Sequence, residues 1–249
     1  DILDYPPSAH TGKPANNDLR EGKITLPLLS VLDRASEERR ADLLARLARV
    51  VCLSLPGTQG FASGKCVLTG NPVRRAVSDV GRLPRRRETR RLLILGGSQG
   101  ARALNTVLPE ILPALREAGV EIRHQSGSVD EDATRAAYER AGYAPDCVTA
   151  FIDDMAGAYA WADLALCRSG ASTVAELCAA GLPAVLVPFP YAIHDHQSRN
   201  AEVLEKAGAA LLVPEQLLRE KDLGRMLPCM LDDSDGRARM SAAALGAAR

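Results

Sequence analysis

The chain has 249 residues, 46% of them hydrophobic, and its 31 basic residues balance 31 acidic ones. That length and apolar content suit one large or two small globular domains, and the charge balance argues against nucleic-acid binding as the main task. No apolar run is long enough to cross a bilayer, and nothing at the start resembles a signal peptide. The six cysteines are scattered without a CxxC, which reads as reduced core thiols in a cytoplasmic protein.

The first residue is Asp, so the sequence is expected to be a fragment or a trimmed form of something longer. Asp1 and Asp4 stand at i and i+3, on one side of a helix if the segment is helical. A polar turn and Gly12-Lys13-Pro14-Ala15-Asn16-Asn17-Asp18-Leu19-Arg20-Glu21-Gly22-Lys23 follow. Residues 36–49 have Ser36 as a helix N-cap, early acids and an apolar stripe at Leu43, Leu44 and Leu47. Residues 50–53 and 65–69 read as strands, expected to be poorly paired or to expose an edge. The basic run 82–91 reads first as a solvated connector; its functional reading is attraction to an anionic membrane surface.

From Arg91 the pattern becomes regular. Strands are expected at 92–95, 121–124, 147–149, 164–167, 184–187 and 209–213. Helices are expected at 99–117, 130–141, 153–161, 215–231 and 234–249, the first kinked or split by Pro109 and Pro113. Further helices open after 168–172 and at Asp195. Alternation of this kind argues for an α/β domain with a parallel, doubly wound sheet.

The densest signal lies between Ala162 and Ala201. Arg168-Ser169-Gly170-Ala171-Ser172 is a small-residue turn opening a helix after an apolar strand, which suits a phosphate because a helix start carries unpaired N–H groups and partial positive charge. Glu176 is placed to accept hydrogen bonds from ribose hydroxyls. Asp195-His196-Gln197 and Asn200 offer polar groups to the same point. Together these make a nucleotide-plus-sugar site at the carboxyl ends of parallel strands. Two plainer readings compete: Thr173-Val174-Ala175-Glu176 is also a capping box, and His194 and His196 flank an Asp but have no further Cys or His at ligand spacing.

The wording of this segment closely resembles the C-terminal half of the MurG glycosyltransferases. Thr69-Gly70-Asn71-Pro72-Val73-Arg74, Gly96-Gly97-Ser98-Gln99-Gly100-Ala101, His124-Gln125-Ser126-Gly127 and Ala150-Phe151-Ile152-Asp153-Asp154-Met155 match that family in order and approximate spacing. The resemblance spans roughly residues 49–249. The first ~32 residues resemble the second aspartate-rich region of trans-polyprenyl diphosphate synthases, without its leading Asp, its first metal motif or its helical core.

The resemblance implies a Rossmann-like C-terminal domain of a GT-B glycosyltransferase preceded by a short, mainly helical segment. It divides the chain into a polyprenyl-synthase-like remnant (1–48), the end of the GT-B N-terminal domain with its linker (49–73) and the UDP-sugar-binding domain (74–249). It implies transfer of N-acetylglucosamine from UDP-N-acetylglucosamine to lipid I, in peptidoglycan synthesis on the cytoplasmic face of the inner membrane. The implied partners are that donor, the undecaprenyl-linked acceptor and an anionic membrane surface, with no nucleic acid, no cofactor and no metal. Carried over residue by residue, Ile152 pairs its backbone with uracil and Glu176 holds the ribose. Ala171, Ser172, Thr173, Val174 and Ala175 present amides to the diphosphate, and Ser98 and Arg74 add a hydroxyl and a positive charge there. Gln197 and Asn200 recognise the sugar. The family's N-terminal glycine-rich loop with its candidate base histidine has no counterpart, so no catalytic residue is assigned and the 249 residues are expected to bind donor without turnover. Alternatives are a UDP-N-acetylglucosamine 2-epimerase, a non-catalytic UDP-sugar-binding module and a polyprenyl diphosphate synthase fragment.

Overall fold

Continuous apolar runs become buried parallel strands, because such strands are covered on both faces. The computed structural model describes residues 51–53, 66–84, 89–96, 101–192 and 195–248. Asp1, Asp4, the helix expected at 36–49, Ser98 and His194 lie outside the described residues. Two units are distinguished, residues 1–71 and 72–249. In the first, β1 (Val51–Leu53) pairs in parallel with β2 (Cys66–Leu68), Val51 opposite Cys66.

The second unit, among its described residues, holds a six-stranded parallel sheet. Its strands are β3 (Arg91–Leu95), β4 (Glu121–Gln125), β5 (Val148–Thr149), β6 (Leu164–Cys167), β7 (Ala184–Leu186) and β8 (Ala210–Leu212). They lie side by side in the order β5-β4-β3-β6-β7-β8. The chain builds outward from β3 to β5, returns to place β6 on the other side of β3, and builds outward again.

Side chains alternate strictly across this sheet. Leu93, Leu95, Ala165, Cys167, Ala184 and Leu186 point to one core. Leu92, Ile94, Leu164, Leu166 and Val185 point to the other. The first core is covered by α1 (Arg75–Val80), α4 (Met155–Trp161), α5 (Ala171–Ala180), α6 (His196–Lys206) and α8 (Ser234–Ala247). The second is covered by α2 (Arg102–Glu117), α3 (Glu131–Arg140) and α7 (Leu223–Asp232). This is the doubly wound arrangement expected from the alternation of elements.

Some elements differ from expectation. The six-residue α1 falls where no helix was expected; its N-cap, Arg74, makes no side-chain cap. Pro109 and Pro113 do not split α2, which runs unbroken from Arg102 to Glu117. Leu104, Leu108, Leu112 and Leu115 are buried on one side, whereas Pro113 is exposed and Pro109 half-exposed. Packing of the leucine stripe outweighs the helix hydrogen bonds that the two prolines remove. The helix expected over 215–231 is instead a 3-10 turn, Glu215–Leu217, followed by α7. Asp222 divides them, its carboxylate capping the amide of Arg225 at 3.1 Å.

Burial fixes several ionisable groups in their neutral form. It pushes the Cys167 thiol up to about 12 and that of Cys178 up to about 11. Cys229 departs from the expected core role: it is exposed on α7, away from the buried stripe of Leu223, Leu227 and Leu231. His124 on β4 is buried, and its Nδ1 lies 3.0 Å from the Tyr138 hydroxyl. Its Nε2 has no hydrogen-bond partner among the described residues. Burial drives its pKa down to about 3 from an ordinary 6.5.

Between those two pH values the unfolded chain binds a proton that the folded chain refuses. The resulting stability is complete above pH 6.5 and is lost progressively as pH falls toward 3. Replacing His124 by Phe should remove this component. The stability advantage of wild type over His124→Phe should shrink by about 1 kcal/mol per pH unit between pH 6 and 4. Urea unfolding of both proteins at three pH values tests it; parallel pH profiles would contradict a buried neutral imidazole.

Candidate functional site

β3 and β6 are neighbours, yet the helices that follow them leave to opposite faces, α2 to one core and α5 to the other. Their departure opens a crevice at the carboxyl edge of the sheet, where open α/β sheets bind ligands. A cavity of about 1130 Å³ occupies it. Gly96, Arg102 and Thr106 line one side, and Arg168, Gly170, Ala171, Ser172 and Thr173 the other. Phe189, Tyr191 and Gln197 contribute to its wall.

The start of α5 is bare. Gly170 is its N-cap, in an extended conformation with no side chain to offer. The first backbone bond of the helix runs from the Val174 amide to the Gly170 carbonyl at 2.9 Å. The amides of Ala171, Ser172 and Thr173 precede it and lack intrahelical acceptors. Their residues line the cavity, so the positive end of the helix is presented there. The Val174 side chain is buried in the core, and only its backbone belongs to this end.

The capping-box reading of Thr173 and Glu176 does not hold. The helix begins at Ala171, which makes Thr173 its third residue and Glu176 its sixth. The Glu176 carboxylate reaches sideways instead. One oxygen accepts from Arg74 Nη2 at 3.2 Å and the other from the Tyr159 hydroxyl at 2.9 Å. Arg74 therefore stands beside Glu176 here, with its side chain 59% exposed. Tyr159, on α4, was not among the residues the sequence pointed to; nothing in a short apolar helix announces a hydroxyl aimed at a carboxylate 17 positions later.

A polar lock holds the turn before α5. The Ser169 hydroxyl donates to the Gln197 carbonyl at 2.8 Å, and the Asn200 amide donates to the Ser169 carbonyl at 3.0 Å. Arg168 donates to the carbonyls of Val187 and Pro188, each at 3.2 Å, and pairs with Glu215 at 2.5 Å. Gln197 accepts from the Phe189 amide through Oε1 at 3.0 Å. Gln197 thus keeps its amide nitrogen for the cavity it lines. Asn200 is different: it is buried beneath the turn, where it supports Ser169. Ile152 is half-buried in the loop after β5 and packs on the α5 side of the sheet. Ala175 is likewise half-buried on α5. Among the described residues no group of three or more His, Cys, Asp or Glu is placed to hold a metal ion.

Known proteins match this architecture. The glycosyltransferase family 28 C-terminal domain matches residues 91–249. The chain belongs to this family. Among family 28 relatives, a protein of Nitratidesulfovibrio vulgaris (strain DP4) is 49% identical over 209 residues, covering 82% of this chain and 56% of its own length. It is named UDP-N-acetylglucosamine–N-acetylmuramyl-(pentapeptide) pyrophosphoryl-undecaprenol N-acetylglucosamine transferase. A protein of the same name from Methylococcus capsulatus is 46% identical over 206 residues, covering 83% of this chain and 58% of its own. The crystal structure of Acinetobacter baumannii MurG aligns with a TM-score of 0.56 and 34% identity, over 83% of this chain and 57% of that one. The calicheamicin glycosyltransferase CalG4, at 18% identity and a TM-score of 0.55, shares the fold. The chain spans little more than half the length of the curated relatives it matches.

The lock under the turn carries a stability consequence. Asn200→Ala leaves the Ser169 carbonyl without its buried donor and should lower the unfolding free energy by about 1–3 kcal/mol. Chemical denaturation measures it; a loss below about 0.5 kcal/mol, the usual range of a neutral surface change, would show that the bond does not hold the turn.

Proposed function

We propose that this chain supplies the donor side of an N-acetylglucosaminyl transfer from UDP-N-acetylglucosamine to a lipid-linked N-acetylmuramyl-pentapeptide. The observation that carries the reading is the uncapped α5 start, opening into a cavity at the strand-order switch, with a carboxylate farther along the same helix. The names of the family 28 relatives support the choice of substrates.

In this reading the diphosphate lies on the amides of Ala171, Ser172 and Thr173, reinforced by the aligned dipoles of α5. Glu176 accepts from the ribose hydroxyls, and the Ile152 backbone meets the uracil edge. Gln197 offers its amide nitrogen to the sugar, and Asn200 acts at one remove, by holding Ser169. Ser98 and Arg74 complete the diphosphate contacts, which requires the exposed Arg74 to leave Glu176. When the bond from the anomeric carbon to the diphosphate breaks, negative charge grows on the oxygen it leaves. Helix-start amides already aimed at that charge stabilise it with no reorganisation. Fixed protein charge takes the place of a cation in this scheme.

The domain assignment follows the same reading: residues 74–249 form the UDP-sugar-binding domain, and 49–73 the end of the GT-B N-terminal domain with its linker. The division of the chain after residue 71 supports it. No helix among the described residues is long and apolar enough to cross a membrane. The basic run 82–91 offers weak support for a peripheral position on an anionic surface, since its described arginines, Arg82, Arg90 and Arg91, are each paired with a carboxylate.

Calorimetry should show binding of UDP and UDP-N-acetylglucosamine in preference to ADP- and GDP-sugars; equal binding of all of them, or of none, defeats the proposal. Glu176→Ala should weaken UDP binding by about 1–3 kcal/mol, through loss of a charged hydrogen bond. Titration in the presence of EDTA should leave the affinity for UDP unchanged. A steep loss with chelator would instead assign the diphosphate charge to a bound cation.

A further inference from the structure

We infer that Tyr159 is a positioning residue for nucleotide binding: its hydroxyl aims the Glu176 carboxylate so that the carboxylate can take both hydroxyls of a ribose. The inference rests on the reading of Glu176 given above. Glu176 is a long side chain on the first turns of α5 and could by itself sample several rotamers, each aiming its oxygens differently. Tyr159 removes that freedom. Its ring is 1% exposed and packed in the core with Val174 and Leu177 of α5, so its position is fixed by the fold. The hydroxyl emerges from that core at 2.9 Å from Glu176 Oε2.

Counting acceptor sites shows what this fixation leaves. An ionised carboxylate offers about four lone-pair positions. Tyr159 occupies one on Oε2 and Arg74 one on Oε1, at 3.2 Å. Once Arg74 turns to the diphosphate, three remain, two on Oε1 and one on Oε2, enough for the two donors of a cis-diol. The two bracketing groups are not equivalent. Arg74 is 59% exposed, and an exposed ion pair constrains little. Tyr159 is buried, and burial together with the adjacent Glu176 charge raises its pKa far above the ordinary phenol value. It therefore remains a proton donor at every working pH. A neutral, rigid donor fixes direction without cancelling the negative charge that attracts the diol.

The test uses the full 249-residue chain and two probes, UDP and 2′,3′-dideoxy-UDP, which lacks both ribose hydroxyls. Tyr159→Phe removes one oxygen atom and keeps the ring. Wild type should bind UDP at least tenfold tighter than the dideoxy analogue. Tyr159→Phe should weaken UDP binding three- to tenfold and leave the dideoxy analogue within twofold of wild type. In a Glu176→Ala background, adding Tyr159→Phe should cause no further loss. Equal weakening of both probes in Tyr159→Phe would assign the tyrosine a merely structural role and overturn the inference while sparing the ribose reading. Unchanged UDP affinity in Tyr159→Phe would overturn it as well. Wild type that binds both probes equally would show that Glu176 does not hold the ribose, and both readings would fall together.

Discussion

The site depends on one topological constraint: β3 and β6 lie side by side while the chain leaves them in opposite directions across the sheet. Two connections that diverge cannot pack on each other, so the carboxyl edge stays open between them. Right-handed crossovers make this split unavoidable once the strand order reverses. The bare helix start on α5 and the glutamine on α6 converge on that edge because both helices follow strands that end there, whereas the Glu176 carboxylate lies outside the cavity lining, against Tyr159 and Arg74. α5 and α6 share the core that also holds α4, which is why a tyrosine on α4 can meet a carboxylate on α5.

The turn before α5 shows how an unfavourable local conformation is kept. A glycine N-cap leaves the helix start without the side-chain acceptor most helices have. The surrounding structure compensates from below: Ser169 is tied to α6 in both directions, and Arg168 is tied to the end of β7 and to Glu215. The Ser169 hydroxyl is engaged with the Gln197 carbonyl and not with the helix amides. The result is a stiff turn whose donors remain free to meet a ligand.

Much of this was legible in the sequence. Leu92 to Leu95 and Leu164 to Cys167 read as central strands because a parallel strand buried on both faces is an unbroken apolar run. The open turn before α5 was legible because glycine and small residues between strand and helix leave a helix start without side-chain cover. What escaped has physical causes. α1 is one and a half turns long and lacks a side-chain cap, so it carries no local signal. The break at Asp222 was masked by apolar spacing that runs through Leu217, Leu218 and Leu223. The proline-bearing α2 stays whole because its leucines are buried on the side away from Pro113, a fact of packing that local propensity does not contain. Asn200 read as a ligand contact because residue type does not reveal depth, and its burial under Ser169 is set by tertiary structure. The pairing of Tyr159 with Glu176 joins two helices and has no periodic trace.

The uncapped amides of α5 also bear on how long the chain survives. While the crevice holds only water, the three amides at its edge are met by solvent and add nothing to folding. An anion that satisfies them adds its binding free energy to the native state alone, by an amount that grows with the logarithm of its concentration. Abundance is sensitive to such increments, since a change of about 1–2 kcal/mol alters steady-state levels several-fold when proteases clear the unfolded fraction. On the proposed reading, nucleotide held at this helix end would lengthen the lifetime of the polypeptide, and its depletion would shorten it.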